Sequence, residues 1–148
     1  MKRTLIALLS VFTGLVWACS KDDDSYVGTP QYVLSIAAVT GTDQEVDLEL
    51  ETTEEFECSN YAIQTIFRQA NQTISLEVGE VVPPTQCLTA TGPAKATNRV
   101  SDITEDQRIT IRTSNQTVSG MLSVDKDHFV LTLENNNIIR LGTDSVDQ

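Results

Sequence analysis

The chain has 148 residues, 10 Lys+Arg against 21 Asp+Glu, and a formal net charge of −11. That length fits one domain, and the acidic balance excludes a phosphate-backbone binder, which needs clustered Lys and Arg. One His, 3 Cys and 5% aromatic residues leave little material for a catalytic centre.

Lys2 and Arg3 open the chain, and an uncharged, mainly apolar run follows from Thr4 to Ala18. The run is shorter than the roughly 20 apolar residues of a membrane span and has the build of a signal-peptide core. It ends in Leu15-Val16-Trp17-Ala18-Cys19, a small residue directly before a cysteine. This resembles the lipobox of bacterial lipoproteins, with Trp17 departing from the small or hydroxyl residue usual there. The resemblance implies cleavage before Cys19, a diacylglycerol thioether on its sulfur and an acylated (palmitate-type) amino group. Two or more chains give stable anchoring where one is marginal. The next residues, Ser20-Lys21-Asp22-Asp23-Asp24, resemble the export signal of Bacteroidota-type surface lipoproteins. That implies that Lys21, Asp22, Asp23 and Asp24 send the protein to the outer face of the outer membrane. Residues 1–18 are thus read as a signal peptide and 19–30 as a lipidated cysteine with an acidic tether. Removing 1–18 takes away two bases and no acid, so the mature chain is more acidic than the whole.

From Gln31 onward the dominant signal is period-two alternation, the mark of strands with one apolar face. Val46, Leu48 and Leu50 alternate with Glu45, Asp47, Glu49 and Glu51. Ile74, Leu76 and Val78 alternate with Thr73, Ser75 and Glu77. Ile109 and Ile111 alternate with Arg108, Thr110 and Arg112. Phe129, Leu131 and Leu133 follow the same rule against His128, Val130 and Thr132. Turn-forming clusters separate the runs, among them Thr40-Gly41-Thr42-Asp43, Ala70-Asn71-Gln72, Pro83-Pro84 and Ser114-Asn115. Asn60 to Ala70 fits helical and strand spacing alike, and its β-branched content favours strand. Residues 107–141 read as a meander of four strands.

Seven or eight short strands imply an all-β domain over 31–142. The expected architecture is an antiparallel two-sheet sandwich, with a small up-and-down β-barrel as the alternative. Residues 143–148 read as a flexible tail. The stretch 73–141 also resembles a group of small Bacteroidota lipoproteins of no settled activity. That resemblance is carried by Val81-Val82-Pro83-Pro84, Cys87, Gly92-Pro93-Ala94-Lys95-Ala96 and Gly120-Met121-Leu122-Ser123-Val124. It implies an immunoglobulin-like sandwich and assigns no catalytic residue.

With Cys19 lipidated, Cys58 and Cys87 remain as an even pair in an oxidising compartment, and a disulfide is expected. Closing a loop of about 30 residues stabilises by roughly 3.5 kcal/mol on the chain-entropy argument. Asp43 to Glu57 holds eight acids and no base. Of these, Glu45, Asp47, Glu49 and Glu51 share one strand face. The stripe suits charge protecting an edge strand, and is also a candidate face for a basic protein partner. Same-face carboxylates about 6.6–6.8 Å apart are too widely spaced to cage one calcium from the strand alone. His128 opens a strand opposite its apolar set, with no nucleophile motif beside it. The sequence contains no metal or cofactor pattern. The leading expectation is a surface-anchored, non-catalytic binding or structural module; the alternative is a β-barrel holding a small apolar ligand.

Overall fold

The computed structural model describes residues 31–41, 44–125 and 128–147, and these form strands, turns and loops without a helix. Cys19, Lys21, Asp22, Asp23 and Asp24 lie outside the described residues. The strands are β1 (Tyr32–Ala38), β2 (Val46–Phe56), β3 (Ala62–Ala70), β4 (Thr73–Val82), β5 (Gly92–Val100), β6 (Gln107–Arg112), β7 (Thr117–Asp125), β8 (His128–Leu133), β9 (Ile139–Leu141) and β10 (Ser145–Asp147). Alternation sets the faces. Val46, Leu48 and Leu50 are fully buried, as are Ile74, Leu76, Ile109 and Ile111, while the residues between them face outward. The ambiguous segment is strand β3. Its turn to β4 is Asn71 (φ 47) and Gln72 (φ 59) between paired Ala70 and Thr73. Positive φ at both central residues gives the turn hand that matches strand twist.

All ten strands belong to one mixed sheet, in the order β10-β8-β7-β6-β4-β3-β5-β2-β1-β9. The expected two-sheet antiparallel, immunoglobulin-like sandwich is therefore not the fold. Three neighbouring pairs are parallel: β1 with β9, β3 with β5, and β4 with β6. The barrel-like alternative fits better, although these crossovers are not up-and-down connectivity. Only β6, β7 and β8 form the expected meander; β9 leaves it to pair with β1. Residues 143–147, read above as part of a tail, carry β10, which pairs with β8.

The two ends of the strand order are β9 and β10, and only residues 142–144 separate them. The four Cα steps from Leu141 to Ser145 span at most about 15 Å and cannot bridge a flat sheet, because ten strands roughly 4.8 Å apart would place its edges about 43 Å apart. The sheet must curl until its edges meet. Three hydrogen bonds complete the join. Gly142 N donates to Leu34 O (2.9 Å), Ile36 N donates to Thr143 O (2.9 Å), and Leu131 N donates to Asp144 O (2.7 Å). A Cβ on Gly142 would lie 2.3 Å from Ser35 Oγ, so a larger residue there would have to turn aside the hydroxyl that accepts from Thr143 N (3.1 Å). Inward-facing aliphatic residues from β1, β2, β4, β6, β7 and β8 fill the interior, as side chains do in small barrels.

Gly120 sits on the inward face of β7, opposite Ile109 and Leu133. A Cβ there would meet Thr132 O at 2.2 Å and Leu133 Cδ2 at 2.7 Å. A backbone oxygen cannot yield as a side chain can, so Gly120→Ala is expected to destabilise by about 3 kcal/mol. Urea unfolding checks this; an unchanged midpoint would show that the β7–β8 contact is looser than described.

Candidate functional site

Strand register places the loops at two ends of the barrel. Tyr32 pairs with Thr52, Phe56 with Gly92, and Ala62 with Val82. Gln31, the turn 57–61 and the loop 83–91 therefore share one end. Residues 39–41 and 44–45, the turn 71–72 and the loop 101–106 share the other. The second end is plugged: Ile103 is 2% exposed, and its N–H donates to Gln44 O at 3.1 Å.

The first end is built differently. Tyr32 lies on the inward face of β1, in line with Leu34 and Ile36, and remains half-buried. Phe56 and Tyr61 stack with ring centroids 4.6 Å apart and planes at 20°. Tyr32, Phe56 and Val81 line a hollow of about 200 Å³ together with Gln31 and Thr52–Glu54. Burial pushes the Tyr32 phenol above its ordinary value of 10.0. The ladders are bulged at this end, between Glu51 and Glu55 on β2 and between Val78 and Val81 on β4, opposite Ile63 to Thr65 of β3. Bulges bend strands and gather at barrel rims and sites. Thr52 repairs the first bulge: its Oγ1 donates to Glu54 O (2.8 Å) and accepts from Ala94 N (2.9 Å).

Cys58 and Cys87 are joined by a disulfide with Cα atoms 5.3 Å apart. Asn60 adds a second clamp on the same loop. Its Nδ2 donates to Gln86 O (2.8 Å), and its Oδ1 accepts from Leu88 N (3.2 Å). The next residue after the clamp, Leu88, is 58% exposed.

The acidic stripe has a different setting from the one expected. Strand β2 is not an edge: it lies between β1 and β5. Asp47 faces Arg99 directly across the β5 ladder and takes a two-pronged contact, Nε to Oδ1 at 2.9 Å and Nη2 to Oδ2 at 3.1 Å. That hydrogen bonding, then the Asp47 charge, raises the Arg99 guanidinium above its ordinary value, and Glu45 adds to the effect. Glu51 likewise faces Lys95 and takes a single contact from its Nζ to Oε1, whereas Glu49 faces Thr97 and Ser35. The chain's own β5 thus supplies cations to much of the candidate partner face. His128 lies on the surface with Nδ1 2.7 Å from Asp147 Oδ1. Among the described residues, no group of three or more His, Cys, Asp or Glu is placed to hold a metal ion.

The sequence reading missed Tyr32, Phe56, Tyr61 and Val81 as a set, and Asn60 and Leu88 beside them. A signal was present in Phe56-Glu57-Cys58-Ser59-Asn60-Tyr61, where two aromatics bracket a bridged cysteine. No family model, no curated protein and no solved structure matches the chain.

A phenol whose folded value is raised keeps its stabilising contribution below the ordinary value and loses it as pH rises through the folded one. Unfolding free energy is therefore expected to fall as pH climbs past 10.0, and to fall less in Tyr32→Phe. Equal alkaline losses in both proteins would place Tyr32 outside the hollow.

Proposed function

We propose that the protein is a non-catalytic, lipid-tethered barrel at the outer-membrane surface that binds a small apolar group in its aromatic mouth. The observation that carries this reading is the asymmetry of the two ends. Tyr32, Phe56 and Tyr61 gather half-buried at one opening, while Ile103 plugs the other. Barrel mouths are preferred ligand sites, and such sites combine apolar walls with a few fixed polar groups; here Phe56, Val81 and the Tyr32 ring would be the apolar wall, with the Tyr32 phenol and Gln31 among the polar groups at its edge. The tether rests on the lipobox and export resemblances at Cys19 and Lys21–Asp24. A basic partner on Glu45, Asp47, Glu49 and Glu51 is less favoured, because Arg99 and Lys95 already occupy Asp47 and Glu51.

The test is titration of the purified protein with a neutral naphthalene dye whose emission rises in apolar surroundings. Saturable binding is expected, weakened about tenfold in Phe56→Ala, since roughly 1.4 kcal/mol of lost contact is one decade. Ile66→Ala, an exposed residue outside this mouth, should bind as the native protein does. Identical affinities for the native protein and Phe56→Ala would overturn the assignment.

A further inference from the structure

We infer that the disulfide end is also the membrane-facing end, with Leu88 entering the lipid surface and the aromatic mouth opening towards it. The inference deepens the reading above and rests on its tether. In a chain that is 21% charged, Pro83 to Ala94 contains no charged residue. Leu88 stands in the middle of that run and is 58% exposed. Its exposure is not looseness, because the disulfide to Cys58 and both Asn60 hydrogen bonds hold its loop. A clamped side chain has little ordering left to lose when it meets a partner.

The occupant follows from where the N-terminal segment joins the barrel. Gln31 is fixed at this same end, its N–H donating to Ile138 O (2.8 Å) and its carbonyl accepting from Thr53 N (3.0 Å). Residues 20–30 can reach at most roughly 40 Å, so an anchor at Cys19 holds Gln31, and with it this end, within that distance of the bilayer. Tethering makes even a weak apolar contact effective, because the second encounter is intramolecular. The far end presents Asp102, Glu105 and Asp106 in its 101–106 loop. Glu54, Glu55 and Glu57 flank the mouth, so uncharged lipid headgroups suit it better than anionic ones. An apolar ligand could then pass from the bilayer to Tyr32 and Phe56 without crossing water.

The experiment separates the docking from the anchor. The chain carrying Cys19→Ser, with a hexahistidine tag in place of residues 1–18, is bound to phosphatidylcholine vesicles containing a nickel-chelating lipid. Amide hydrogen exchange is then compared with that of the same chain free in solution. Slower exchange on vesicles at residues 85–90 is expected, lost in Leu88→Asp, with residues 101–106 unchanged. Equal exchange at 85–90 on and off the vesicles, or protection that survives Leu88→Asp, would overturn the inference. Flotation of the native chain with vesicles tests the lipid anchor separately; its failure would remove the anchor while leaving the exchange result to stand or fall by itself.

Discussion

The three residues Gly142, Thr143 and Asp144 impose the constraint on which the rest of the structure depends. They join β9, which lies beside β1, to β10, which lies beside β8. So short a link forbids an open sheet and makes the inward faces of all the strands one enclosed surface. The aliphatic residues on those faces owe their burial to this closure. A flat sheet would leave Leu48, Leu76 or Ile109 facing water on one side. Each buried side chain of that size stabilises by about 1.5–3 kcal/mol, so the short segment organises far more free energy than its own hydrogen bonds carry.

Closure is less regular where β3 and β5 meet. Their ladder is a single bridge, Ala62 with Lys95. Side chains span the remainder. Thr65 Oγ1 donates to Asn98 Oδ1, and Gln69 reaches both the N–H and the carbonyl of Ser101 as well as Gln107. Asn98 Nδ2 is buried there without a partner among the described residues. The strands converge at the disulfide end and are bridged by side chains further on. The two bulges lie at the disulfide end, beside the mouth at Tyr32 and Phe56, whereas Ile103 seals the other end.

Much of the local structure was legible in the sequence. Alternation in β2, β4, β6 and β8 identifies the buried face of each strand because side chains switch sides at every residue. Asn71-Gln72 could be read as a turn, and Cys58 with Cys87 as a bridge. Neighbourhood was not legible, since alternation says which face is buried and nothing about which strand lies alongside. The parallel pairing of β4 with β6 and the return of β9 to β1 are decided by packing between distant segments. At three residues each, β9 and β10 are too short to show a period. The acidic stripe shows the same limit. From β2 alone it suits an exposed edge, but Lys95 and Arg99, 44 and 52 residues further along, lie directly opposite it. The aromatic mouth was hidden for the same reason: Tyr32 joins Phe56 and Tyr61 only once β1 has paired with β2.

Closure of the sheet by residues 139–147 is the central claim, and nuclear Overhauser contacts measure it most directly. One dilute sample should show parallel contacts of Tyr32–Leu34 with Ile139–Leu141. The same sample should show antiparallel contacts of Phe129–Val130 with Ser145–Val146. Both sets present and independent of concentration is the expected result. The absence of either set, or the appearance of the β8–β10 contacts only at high concentration, would contradict a barrel closed within one chain.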